Sequence, residues 1–185
     1  KKSGKKNTKG RGMKKNLPVT NTEANYRDSA VLISKTDTRG VITYANADFM
    51  EVSGFDADEL IGKSHNLVRH PDMPTEAFAD LWKHVQAGKL WHGFVKNRCK
   101  NGDYYWVEAN VTPITEHGKI TGYLSVRTKP SREQVSQANA LYTRMREGKA
   151  HTSRFKHWFS AMSIKIRLIG LIVLGLVAVA LSAAA

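Results

Sequence analysis

Trp91-His92-Gly93-Phe94-Val95-Lys96-Asn97-Arg98, then Lys100-Asn101-Gly102-Asp103, then Tyr104-Tyr105-Trp106-Val107 decide the fold, because they read as strand, turn, strand. Aromatic and β-branched residues fill both flanks, and Asn-Gly between them supplies the positive φ that a tight hairpin needs. The second strand extends over 104–114. Glu116-His117-Gly118-Lys119 is another turn signal, and a last strand over 120–128 stops at Pro130. Three antiparallel strands joined by short turns form a meander.

Working outward, 30–35 and 41–45 flank Asp37-Thr38-Arg39-Gly40 and predict a separate hairpin. Between this hairpin and the meander lie helix signals. Asn46 is placed to cap a short helix through Phe49 and Val52 that Gly54 ends, and Asp56 caps a brief turn through Leu60 before Gly62. Thr75 opens a clearer helix, with Glu76 in its first turn and Phe78, Leu81, Trp82 and Val85 at helical spacing until Gly88. After the meander, Ser131 caps a helix to Arg146 with acid near its start and base at its end, as the helix dipole prefers. The class is α+β: a five-stranded antiparallel sheet with short helices on one face and a concave pocket between the two layers.

The loop before the amphipathic helix, Asn66-Leu67-Val68-Arg69-His70-Pro71-Asp72-Met73-Pro74, concentrates polar side chains. Pro71 and Pro74 fix φ and push the preceding residues away from helix, which gives a stiffened, non-helical backbone. Such a loop suits an anionic ligand. Its plainer reading is a surface loop with Arg69 and Asp72 paired to each other.

Length allows one domain with a core plus accessory segments. The net charge of +13 is unevenly spread: the first twelve residues hold six basic residues and no acid, and removing them leaves +7. That stretch, 1–12, reads as a disordered leader added ahead of a native start at Met13. Residues 13–29 form an N-terminal cap to the domain over 30–129. Beyond it comes a basic linker over 130–163, and between 144 and 167 Arg144, Arg146, Lys149, Arg154, Lys156, Lys165 and Arg167 face one acid, Glu147. Residues 168–185 then contain no charge, and eighteen residues of helix span about 27 Å against a bilayer core of about 30 Å. The expectation is a membrane helix over 164–185, cut short, with its basic flank and Trp158 and Phe159 keeping the preceding domain in the cytoplasm. A membrane surface explains the juxtamembrane charge better than nucleic acid does, so no nucleic-acid partner is expected. A single cysteine, Cys99, excludes an internal disulfide. No nucleophile with a paired base and no metal-ligand spacing appears, so no enzyme is expected.

Val41-Ile42-Thr43-Tyr44-Ala45-Asn46 with Phe49, Ser53-Gly54-Phe55 and Glu59-Leu60-Ile61-Gly62 resembles the first half of PAS sensor domains, and Lys100 to Val107 resembles their second half. The proline-bounded loop, continued by Ala77-Phe78-Ala79-Asp80-Leu81-Trp82 and by Trp91 to Arg98, is similar to bacterial aerotaxis receptors and related PAS-bearing chemoreceptors. That resemblance implies a cytoplasmic PAS domain at the bacterial inner membrane, dimeric, holding FAD non-covalently and reporting its redox state to HAMP and kinase-control regions outside this chain. It also implies that Arg69, His70 and Asp72 match positions tied to FAD binding.

A flavin ring needs an apolar slot with polar groups at its rim. Trp91 is the candidate wall, and Asn97 and Asn46 are placed to offer amides, although core packing and capping account for the same residues. A diphosphate needs cationic donors, here Arg69 and His70, with Asp72 orienting them or reaching the ribose. No Gly-x-Gly-x-x-Gly or P-loop stands in for them. A light-sensing flavin domain would carry cysteine after the asparagine, where this chain has Leu67. A haem-binding PAS domain would need an axial histidine, for which His84 is the candidate. A ligand-free PAS dimerisation module is the remaining alternative.

Overall fold

The computed structural model describes residues 16–148. The expected leader over 1–12 and membrane helix over 164–185 lie outside the described residues, as does the linker from 149 onward. Among the described residues, no helix is long and apolar enough to cross a membrane.

Five strands form one antiparallel sheet: β1 Leu32–Asp37, β2 Ile42–Ala45, β3 Trp91–Arg98, β4 Tyr104–Glu116 and β5 Lys119–Thr128, in the order β2-β1-β5-β4-β3. The sequence hairpins are both present, and the sheet joins them by pairing β1 with β5, Ser34 opposite Ser125. Turn chemistry explains the connections. The Asp37 carboxylate accepts from the Arg39 and Val41 amides, each at 2.9 Å. Between β3 and β4 the Cys99 amide donates to the Asp103 carbonyl at 2.7 Å, and only Gly102 of the Asn-Gly pair takes positive φ, at 103°.

Helices α1 Ala47–Ser53, α2 Ala57–Leu60 and α3 Thr75–Gln86 follow β2. Asn46 caps α1 by accepting from the Phe49 amide at 3.1 Å, and left-handed Gly54 closes it. Residues His65–Val68 form a single 3-10 turn, where a non-helical loop was expected; the Ser64 hydroxyl caps it, accepting from the Asn66 amide. The backbone is extended from Arg69, one residue before His70, which Pro71 biases away from helix.

Period-two alternation divides the sheet. Trp91, Val95, Asn97, Ala109, Val111, Tyr123, Ser125 and Arg127, together with Ser34 and Thr36 of β1, face the helices and line a cavity. The other face is covered by α4 Arg132–Arg146. Tyr142 of α4 stacks on Trp106 with ring centroids 6.2 Å apart and donates to the Phe94 carbonyl at 2.7 Å. Helices therefore occupy both faces of the sheet, with the short ones on the cavity side as expected and α4 folded back across the opposite side. Burial of Val135, Ala138 and Tyr142 explains why α4 docks instead of projecting. The N-terminal segment also packs onto the domain: Asn16 donates to the Asn66 and Arg69 carbonyls, and Tyr26 to the Trp106 carbonyl at 2.6 Å.

Candidate functional site

The cavity between sheet and helices encloses about 270 Å³. Its walls are apolar: Trp91 and Val95 on β3, Ala109 and Val111 on β4, Tyr123 on β5, and Phe78, Leu81 and Trp82 on α3. Trp91 donates its indole N–H to Asp80 at 2.9 Å, which fixes its ring. Trp82 meets Tyr123 in a T-shaped pair, centroids 5.5 Å apart. At Gly40 a Cβ would stand 3.1 Å from the Trp82 ring, so glycine lets the β1–β2 turn close over that ring.

Against this apolar lining stand a few donors. Asn97 is 3% exposed, and its Nδ2 makes no regular hydrogen bond; its nearest polar neighbour is the Tyr105 hydroxyl on the facing strand, also without a regular partner. Arg127 is 2% exposed and donates to the Ser34 hydroxyl, while its Nε and Nη1 have no partner. The Ser34 oxygen also lies 3.2 Å from His65 Nε2. Because Arg127 donates to that oxygen, the hydroxyl proton is left for a neutral imidazole to accept. Burial, then the nearby Arg127 charge, pushes His65 down to about 3, which keeps the ring uncharged at neutral pH. Arg69 packs its guanidinium 4.0 Å from the Phe78 ring and donates to the Met73 carbonyl at 2.8 Å. Burial pulls Arg69 and Arg127 down to about 10, so both remain cations at neutral pH.

Of the sequence candidates, Arg69, Trp91 and Asn97 come together at the cavity. Arg69 and Asn97 are joined by an antiparallel bridge. His70, Asp72 and Asn46 are not among the lining residues. In an extended segment adjacent side chains point to opposite sides, so with Arg69 turned inward His70 turns away, against Tyr104 at 6.0 Å. His70 Nδ1 accepts from the Asp72 amide at 3.1 Å, and burial, then Lys96, holds this histidine down to about 4. It is a neutral ring and not the second phosphate cation expected beside Arg69. Asp72 pairs with neither Arg69 nor the cavity. Its carboxylate binds Lys96 at 2.8 Å and Arg146 at 3.3 Å. Asn46 is spent on structure, accepting from the Ile33 and Phe49 amides and donating to the Val31 carbonyl at 2.7 Å.

The residues that motif reading missed are Arg127, Ser34 and His65. The rival candidates lie elsewhere: His84 bonds to its own helix at the Asp80 carbonyl, 2.8 Å, and the Cys99 thiol is directed at the Val52 carbonyl, 3.3 Å. Neither lines the cavity. Among the described residues no three His, Cys, Asp or Glu side chains gather as a metal site.

A five-stranded sheet in this order, with short helices over one face and a lined cavity beneath them, is the architecture of a PAS domain. The PAS fold family matches residues 42–127. The fold is shared with the blue-light photoreceptor Aureochrome1 LOV domain in its light state, at a TM-score of 0.54 and 20% identity over 58% of this chain and 87% of that one. Within the class, the domain is of the aerotaxis-receptor type. It is 47% identical over 131 residues to the aerotaxis receptor of Escherichia coli K12, covering 71% of this chain and 26% of that receptor. The nitrogen fixation regulatory protein of Klebsiella pneumoniae is 28% identical over 119 residues, 64% of this chain and 23% of that protein. The chain thus spans about a quarter of the length of these curated relatives.

Proposed function

We propose that this domain holds FAD non-covalently, with the flavin ring in the cavity, and serves as the redox-sensing part of an aerotaxis receptor. The supporting observation is the donor set: an otherwise apolar chamber carries Asn97 Nδ2 and Arg127 Nε and Nη1, all buried and all without partners. Unpaired buried donors cost about 1–3 kcal/mol each, more when charged. A planar heterocycle whose edge offers carbonyl and ring-nitrogen acceptors would satisfy them, with Trp91, Val95 and Tyr123 among the apolar residues that would hold its faces. A volume of about 270 Å³ accommodates a ring system and not a whole dinucleotide. The diphosphate and adenosine would extend beyond the ring, and the cationic lining residues that would hold them are Arg39 and Arg69.

When bound, the flavin supplies a centre that accepts and returns electrons. The chain's own part is to orient the ring and to pass on a change in its hydrogen bonding. Asn97 bridges to Arg69, and the loop from Arg69 reaches Asp72, which holds α4 through Arg146. In the full receptor this helix leads through the basic linker to the membrane segment over 164–185, with the domain in the cytoplasm as part of a homodimer and HAMP and signalling regions as recipients. The role is signalling and not catalysis.

The test is the absorption of protein purified from cells and incubated with excess FAD, with mass spectrometry of ligand released by heat. Near-ultraviolet and blue bands with FAD in the released fraction are expected. A colourless protein, or a Soret band, overturns the proposal.

A further inference from the structure

We propose that Arg127 is the charge-recognising residue of the cavity, a fixed cation that binds the electron-rich, anionic form of the flavin ring in preference to the oxidised one. The inference deepens the flavin reading and rests on it.

A guanidinium this deeply buried normally answers a carboxylate. Arg127 has none. Around it lie the Ser34 hydroxyl, the Phe49 ring centred 4.3 Å away, the uncharged His65 and the buried phenol of Tyr105, which is itself unpartnered and neutral. A hydroxyl and a ring face offer only partial negative charge, and two of the guanidinium's nitrogens keep protons with no acceptor. Those nitrogens belong to a residue that lines the cavity, so the missing acceptor is the cavity's occupant.

The position is rigid. Arg127 lies opposite Ala109 on β4 and Leu32 on β1, deep in the sheet, and the small Ala109 leaves space above the strand. Ser34 holds one end of the fork and in turn contacts His65, which stacks on Phe49 at 5.9 Å. The cation is therefore oriented before any ligand charge develops, the condition under which electrostatic stabilisation is most effective.

Two-electron reduction of a flavin with uptake of one proton adds a net negative charge to the ring. The electrons come from a low-potential donor, dithionite in the test below. A fixed cation that contacts both forms favours the product of that step, and differential affinity of this kind is what lets a bound ligand shift a conformational equilibrium.

The test compares wild type, Arg127→Lys and Arg127→Gln, each loaded with FAD and titrated with dithionite against a reference dye. Arg127→Gln should lose at least tenfold of the preference for reduced over oxidised flavin, a fall of about 30 mV for a two-electron couple. Arg127→Lys should retain part of it. A change below twofold in the Gln variant overturns the proposal and leaves the flavin reading intact.

A second measurement does not depend on the variants folding. In the reduced wild type the anionic ring spectrum should persist to at least one pH unit below that of free reduced FAD, a tenfold bias. Protonation at the pH of free reduced FAD overturns the proposal. The charged and titratable groups facing Arg127 and the cavity are His65, Arg39, Arg69, Tyr123 and Tyr105, which stands opposite Asn97 on the same face of the sheet. Protein that binds no FAD overturns this proposal and the flavin reading together.

Discussion

Arg146, in the last turn of α4, donates to the Asp72 carbonyl at 3.0 Å and approaches its carboxylate at 3.3 Å. The outgoing helix is thereby fastened to the loop that begins at cavity-lining Arg69, on the far side of the sheet from the cavity itself. Both partners are part-exposed, so the pair is worth on the order of 0.5–1 kcal/mol.

Replacing that arginine tests the fastening without touching the cavity. Arg146→Ala should raise amide hydrogen exchange in the last turn of α4 by about two- to fivefold, the factor that such an energy sets, while global stability stays nearly unchanged. Unaltered exchange there would show that the buried residues Val135, Ala138 and Tyr142 anchor the helix without this pair.

Asn97→Leu separates ligand binding from folding. Removing a buried amide whose Nδ2 is unpartnered should leave ligand-free stability unchanged or higher by about 1 kcal/mol in urea unfolding. The same variant should retain FAD at least about tenfold more weakly, the effect of losing one well-placed polar contact.

Acid stability follows from His65. Its folded pKa, pushed down to about 3 by burial and Arg127, lies below its ordinary value of 6.5. The unfolded chain therefore binds more protons, and stability is fully present above about pH 6.5 and lost as the pH falls toward 3. His65→Gln should lessen the loss of unfolding free energy between pH 7 and pH 5 by up to about 2 kcal/mol, measured in urea at both pH values.

Gly122 marks the crossing of β5 over β1. A Cβ there would overlap the Thr36 carbonyl oxygen, within the backbone of the partner strand. Gly122→Ala should cost at least about 2 kcal/mol by overpacking, read as a lower urea midpoint with an unchanged slope.

Local chemistry explains what could be read in advance. Strand β3 matches its expected bounds, Asn46 caps α1, Ser131 caps α4 through the Gln134 amide, and Gly54 and Gly88 stop their helices at positive φ. Each depends on neighbours within a few positions. Arg127 depends on strand order: only the β1–β5 pairing brings Ser34 to it. Alternation does place Arg127 on the face of Tyr123 and Ser125, and that was the available signal, but a cation in a strand reads as outward-facing. The Arg69-His70-Asp72 motif drew three residues into one role because they are adjacent in sequence. The bridge from Arg69 to Asn97 then assigns successive side chains to opposite sides, leaving one of the three at the cavity.

Val95 and Phe94 share a peptide unit. The first borders the chamber, and the second gives its carbonyl to Tyr142 on the reverse side. Under the proposed function, news of an occupant would need no long relay to leave the domain: a tilt of that one amide plane on the edge strand would move both the wall of the chamber and the foothold of the departing helix.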